Sequence, residues 1–167
     1  MPQSARITHS PLFQTLVEMR ARAMVVQAAW KLSRATGPDA VNAVLGSVMG
    51  ATALCAVAGL RSLFLECTVL AASMLLKCGK PRAARVHLEP AVPAIMEGAP
   101  LVVRAGACVT LAKCSIAECS GFGVSHCVGN ADLALLATAQ RWLRVAHAAV
   151  AELGDVQSSM EVLFLQV

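Results

Sequence analysis

Seven cysteines and four histidines are the residues with most chemical potential in this chain of 167 residues. Cys55, Cys67, Cys78, Cys108, Cys114, Cys119 and Cys127 are odd in number, and no two form a Cys-x-x-Cys pair. The nearest approach to a zinc cluster is Cys114, Cys119, His126 and Cys127. That spacing matches no finger or knuckle, and it would make two ligands adjacent in sequence. Most of the cysteines fall on apolar helical faces, so free buried thiols in a reducing compartment are the expectation, with no metal site. His9, His87, His126 and His147 are far apart. Cys127 with His87 is the one nucleophile–base pairing that can be written, and no neighbouring motif singles it out. Gly106, Gly121, Gly123 and Gly129 lack the Lys-Ser/Thr and the strand–helix setting of a phosphate loop. Glu66, Glu89, Glu97, Glu118, Glu152 and Glu161 form no paired-carboxylate arrangement and read as solvated helix positions. No catalytic residue, cofactor site or metal site is expected, and the chain reads as a non-enzyme.

The elements that carry these residues are helical. The composition is 57% hydrophobic and 14% charged, with mean hydropathy +0.64, far from a disordered chain. The net charge of +4 comes from scattered single Arg and Lys residues, and Tyr is absent. A nucleic-acid partner is therefore not expected. Residues 1–10 read as a flexible segment without a secretory core, and 11–167 as one helical domain. From Leu12 to Ser33, Leu16, Met19, Ala23, Val26 and Trp30 recur at three- and four-residue steps. This is an amphipathic helix with Glu18, Arg20, Arg22 and Lys31 largely on its other side. Thr36-Gly37-Pro38-Asp39 stops it and starts the next.

Val41 to Leu60 is an uncharged run of bilayer length, with a helix boundary near Gly46–Gly50 or Gly59. Its Ala, Gly, Ser and Thr content and the following Arg61 and Glu66 favour a buried helix over a membrane span. A small membrane protein spanning about 41–60 stays open as an alternative.

The stretch from Leu65 to Cys119 reads as a helix, a break at Cys78-Gly79-Lys80-Pro81, a second helix, a break at Gly98-Ala99-Pro100 and a third helix. Ala84, Leu88 and Ala91 give a small–large–small face at i, i+4 and i+7, as closely paired helices require. Framed on Leu65 as the opening of a 34-residue repeat, Ala72 takes the small position of helix A and Gly79 lies near the turn. The next such triplet is Ala139, Leu143 and Ala146. Its offset implies a loop insertion near 120–130, where SGFGVSHCVGN breaks the periodicity. Asp132 to Leu153 is a further helix stopped by Gly154, and Met160 to Val167 starts another that lacks the polar outer face of a capping helix. The chain is expected to stop within a repeat. The fold expected is all-α, a tetratricopeptide-like right-handed α-solenoid of antiparallel helix pairs.

The segment from Leu75 to Cys114, LLKCGKPRAARVHLEPAVPAIMEGAPLVVRAGACVTLAKC, resembles the C-terminal tetratricopeptide region of subunit 5 of the anaphase-promoting complex (cyclosome). The similarity extends over about Ala53 to Val167, with Ala137–Leu153 and Val162-Leu163-Phe164-Leu165-Gln166 resembling the following helix pair. It implies a non-catalytic scaffold subunit of a multisubunit ubiquitin ligase of the cell cycle. Other subunits of that complex would be its partners, in nucleus and cytoplasm, with no membrane and no small-molecule substrate. A free-standing helical-repeat adaptor is the other soluble alternative.

Overall fold

The computed structural model describes residues 11–34, 37–120, 130–154 and 162–165. Helix α1 runs Pro11–Arg34, α2 Pro38–Ala58, α3 Arg61–Lys77 and α4 Pro81–Leu88. A 3-10 turn at Glu89–Ala91 leads to α5 Val92–Gly98, then α6 Leu101–Ser120 and α7 Asn130–Leu153. Residues 162–165 form one further helical turn, and no strand occurs among the described residues. The protein is all-α. The segment 1–10, residues 121–129 of the expected insertion and most of the last expected helix lie outside the described residues.

Two glycines set the tightest turns. Gly59 (φ 70°) and Gly79 (φ 71°) adopt the left-handed conformation that ends a helix cheaply only in glycine. In each turn the glycine N–H donates three residues back (to Ala56 O and Leu76 O). The following N–H donates five back, Leu60 to Cys55 O at 2.9 Å and Lys80 to Leu75 O at 3.0 Å. This double bond pattern satisfies the last carbonyls and folds α2, α3 and α4 back on one another. The α2 boundary thus falls at Gly59, while Gly46 and Gly50 lie inside the helix. It follows that α3 begins at Arg61, and Leu65 sits in its second turn rather than at its start.

The helix expected after Lys80-Pro81 is broken in the middle. Pro90 has no N–H to donate, and its ring collides with the carbonyl four residues back, so the α-helix cannot continue past Leu88. The chain tightens into the 3-10 turn and restarts as α5.

Packing is between neighbours. In sequence order, α1 lies on α2, α2 on α3, α3 on α4, α4 and α3 on α6, and α6 on α7, while α1 touches α3 only slightly. Three apolar cores follow in series. The first joins Ala21 and Ala28 of α1 to Val44, Val48 and Cys55 of α2 and to Cys67 and Met74 of α3. The second is built on Leu65, Ala72, Ala84, Leu88, Ile95 and Leu111. The third holds Cys108, Ala112, Ala139, Leu143, Val150 and Val162. Helices α3 and α6 each serve two cores, which explains why their sequences are apolar on more than one side.

The inner face of α1 differs from the one its large residues suggest. Leu16, Met19, Ala23, Val26 and Trp30 are exposed. The helix instead buries Ala21 and Ala28, flanked by Met24, Val25 and Leu32. Small residues let the two backbones approach. A Cβ built on Gly50 of α2 would lie 3.4 Å from the terminal methyl of Met24. The row that packs on α2 is thus the alanine row, with Met24 reaching over Gly50, and the larger row is left outside.

Candidate interaction surface

The repeat positions are mostly core. Ala72, Ala84 and Leu88 are fully buried in the second core, and Ala139, Leu143 and Ala146 are buried in the third. Gly79 is the left-handed residue between α3 and α4. Ala91 falls in the 3-10 turn, half-buried beside the second core, and so does not continue the α-helical face of Ala84 and Leu88.

One polar cluster escaped the sequence reading. The Arg85 guanidinium on α4 grips both carboxylate oxygens of Glu118 on α6, Nε to Oε1 at 2.9 Å and Nη2 to Oε2 at 3.1 Å. Its Nη1 also donates to Glu89 Oε1 at 3.1 Å. Glu118 keeps only 16% of its side chain exposed, so it is not the solvated carboxylate expected. The bond to Glu118 above all, with that to Glu89 in support, holds the Arg85 pKa above its ordinary value against the opposing effect of burial. A two-point grip of this kind fixes the roll of α4 on α6. Arg85 and Glu89 are legible as an i, i+4 pair. Glu118, 33 residues away from Arg85, carries no local signal of its partner.

The four core thiols offer little nucleophilic chemistry. Cys55, Cys67, Cys108 and Cys114 are buried in the three cores. Burial pushes the Cys67 thiol up to about 12 and the Cys108 and Cys114 thiols up to about 11. Such thiols stay protonated and unreactive at neutral pH. Of the zinc candidates, Cys114 faces the second core and Cys119 donates to the Asp132 carbonyl at 3.6 Å. His126 and Cys127 lie outside the described residues, and so does the pairing of Cys127 with His87. His87 is partly buried, with an Nε2 that has no hydrogen-bond partner among the described residues, and His147 is exposed. Among the described residues no three His, Cys, Asp or Glu side chains come together as a metal site.

The concave surfaces are open and mix apolar with polar lining. A groove of about 600 Å³ is lined by Leu76, Pro81, Lys113, Ile116 and Leu165. Its neighbour of about 460 Å³ shares Ile116 and Leu165 and adds Leu136, Gln140 and Leu143. Neither brings an acid, a base and a nucleophile together. Large apolar side chains also lie on the outer faces, among them Leu16 on α1, Val57 on α2, Val102 on α6 and Leu133 on α7. Helix α2 is long and apolar enough to cross a membrane over Asp39–Ala58, with mean hydropathy 1.8 and a third of that window buried in the fold. What these faces can do is bind other apolar surfaces. No protein-family model matches the chain, and no curated protein and no solved structure is significantly similar to it.

Proposed function

We propose that this chain is a non-catalytic protein–protein interaction scaffold, a tetratricopeptide-like α-solenoid of antiparallel helix pairs. The observation that carries this reading is the serial packing of helices on their neighbours around three cores, with large apolar side chains left on the outer faces. Stacks of this kind bind through extended surfaces rather than a reactive pocket. The first partners to test are the subunits of the anaphase-promoting complex, on the strength of the resemblance over Leu75–Cys114 and the segments that follow it. In that setting the chain would work in nucleus and cytoplasm as part of the ligase platform.

Affinity purification of the tagged chain from a detergent-free lysate, with mass spectrometry of what comes with it, tests the assignment. Recovery of the platform and cullin–RING subunits supports it. A soluble chain recovered without them ends the assignment to that complex and leaves a free-standing repeat adaptor.

One observation favours a second reading. No Asp, Glu, Lys, Arg or His lies between Asp39 and Arg61, and the outer row of α2, including Ala43, Met49, Ala53 and Val57, is exposed and uncharged. A membrane-spanning α2 would use that row against lipid. Retention of the chain in the membrane pellet through alkaline carbonate extraction would select this reading over the scaffold.

A further inference from the structure

Helix α1 is buried on one side only. Its outer row, Leu12, Leu16, Met19, Ala23, Val26 and Trp30, advances in steps of four and three residues along the exposed side. The large members keep most of their surface exposed, Leu12 77%, Leu16 65%, Met19 63%, Val26 68% and Trp30 55%. Alternating steps of four and three are the heptad period of a coiled-coil seam, with Leu16, Ala23 and Trp30 at a and Leu12, Met19 and Val26 at d. Of the positions that border such a seam, Thr15, Arg20, Arg22, Gln27, Ala29 and Arg34 are exposed as well, and Phe13 is half-buried. All contacts with the first core come from the remaining b, c and f rows, through Ala21, Met24, Val25, Ala28 and Leu32. Apart from Phe13, the half of the helix that a coiled-coil partner covers is the half this fold leaves open.

We propose that this face docks a second copy of the same chain, α1 against α1, as a short antiparallel coiled coil about a two-fold axis near Ala21. A seam of period 3.5 is best filled by another of the same period, and each copy carries one. Side-chain volumes choose the direction. The antiparallel register sets Trp30 opposite Leu12, Ala23 opposite Met19, and Val26 opposite Leu16, so each layer pairs a larger side chain with a smaller one. A parallel register would stack Trp30 on Trp30 and Ala23 on Ala23, one layer overfilled and one with a void. The area also fits. Five large side chains per copy, each offering on the order of 100 Å², bury about 1,000 Å² between two copies, the lower bound for a specific interface and suited to a micromolar dimer. Charge opposes the arrangement weakly, because Arg20 and Arg22 each meet their own symmetry mate near the axis. Arg22 is accompanied by Glu18 at 2.9 Å, and both arginines are exposed, so salt screens the repulsion. The proposal rests on the scaffold reading only in taking the outer face of α1 to be protein-facing.

Sedimentation equilibrium of the purified full chain over the micromolar range tests it. The expected result is a monomer–dimer equilibrium that tightens as salt rises from a low value. The pair Leu16→Glu and Met19→Glu should raise its dissociation constant at least about 100-fold, since each residue is met twice across the axis. Leu12→Glu with Val26→Glu should do the same, and Val57→Glu, on an exposed site of α2, should change nothing. All these positions are exposed in the monomer, so the helical circular dichroism should be preserved. A wild-type chain that stays monomeric overturns the proposal, and so does a monomer that floats with anionic vesicles, which would assign the face to lipid. A dimer that both seam pairs leave intact also overturns it. A seam-dependent dimer that loosens as salt rises overturns the antiparallel register. A monomer that still captures heterologous partners would end the dimer and leave the scaffold standing.

Discussion

Helices α1 and α7 are the first and last long helices among the described residues, each 24 residues long and each with apolar residues at helical spacing. In α7 the residues that the spacing singles out, Ala139, Leu143 and Ala146, are inside. In α1 the row of largest residues is outside, and a row led by two alanines is inside. The difference lies in what each helix packs on. Helix α7 meets α6 through alanines at the approach points, Ala139 and Ala146, with one leucine between them to fill the gap. Helix α1 meets α2 across Gly50 and a valine row, with Ala21 and Ala28 at its buried positions and the Met24 side chain lying over Gly50. A helical period shows that a stripe exists. Which surface covers the stripe is decided by the volume of the neighbour.

The largest expected effect breaks the comparison at its core. Leu143→Ala should destabilise the fold by about 2–5 kcal/mol, and Leu88→Ala in the second core by a similar amount. Leu16→Ala on the outer row of α1 should change monomer stability by less than about 0.5 kcal/mol. Chemical denaturation at low protein concentration measures all three. Equal losses at Leu16 and Leu143 would refute the difference between the two helices.

The buried thiols give an alkaline signature of the cores between these two helices. An unfolded cysteine ionises near 9.0, whereas burial holds Cys67 protonated to about 12 and Cys108 and Cys114 to about 11. Between these values the unfolded chain binds fewer protons than the native one, so stability falls as pH rises. It is fully present below about pH 9 and is lost progressively toward pH 12. Melting temperatures should therefore drop across that window, and Cys67→Ala should flatten the slope, whatever it does to stability at neutral pH. An unchanged slope would mean that Cys67 is hydrated in solution.

Much of the fold was legible because its breaks are glycine and proline chemistry. Gly37-Pro38, Gly79-Lys80-Pro81 and Ala99-Pro100 mark ends that the structure keeps. Gly59 marks one that the sequence left ambiguous among three glycines, since each has a small residue on one side and a large apolar one on the other and only the helix that follows distinguishes them. The break at Pro90 was readable in principle. The Ala84–Leu88–Ala91 spacing masked it, because a triplet counted along the chain assumes an unbroken helix between its members. The inner face of α1 was not legible, as its alanines give no contrast in a sequence rich in alanine. The Arg85–Glu118 contact was not legible either, because it depends on how α4 lies across α6.

That contact supplies the next effect in size. Glu118→Gln removes the charge from a two-point grip that is mostly shielded from water, and should cost about 1–3 kcal/mol. Glu89→Gln, on the exposed side of the same arginine, should cost no more than about 0.5 kcal/mol. A double-mutant cycle with Arg85→Met should return a coupling for Glu118 that exceeds the one for Glu89. Equal couplings would show that α4 does not rest on α6 through this pair.

The smallest effect probes the contact that turned α1 inward. Gly50 sits within α2, where glycine is less favourable than alanine by roughly 0.5–1 kcal/mol. An added Cβ would meet only the methyl end of Met24, at 3.4 Å, and that flexible end can give way. Gly50→Ala should therefore stabilise by up to about 0.5 kcal/mol. A leucine at the same position needs space that the close approach of α1 and α2 does not leave, and Gly50→Leu should destabilise by about 1–3 kcal/mol. Opposite signs for the two substitutions are what a tight α1–α2 contact through small residues requires. If both stabilise, the helices are farther apart in solution, and the exposed row of Leu16, Met19 and Val26 could then roll inward.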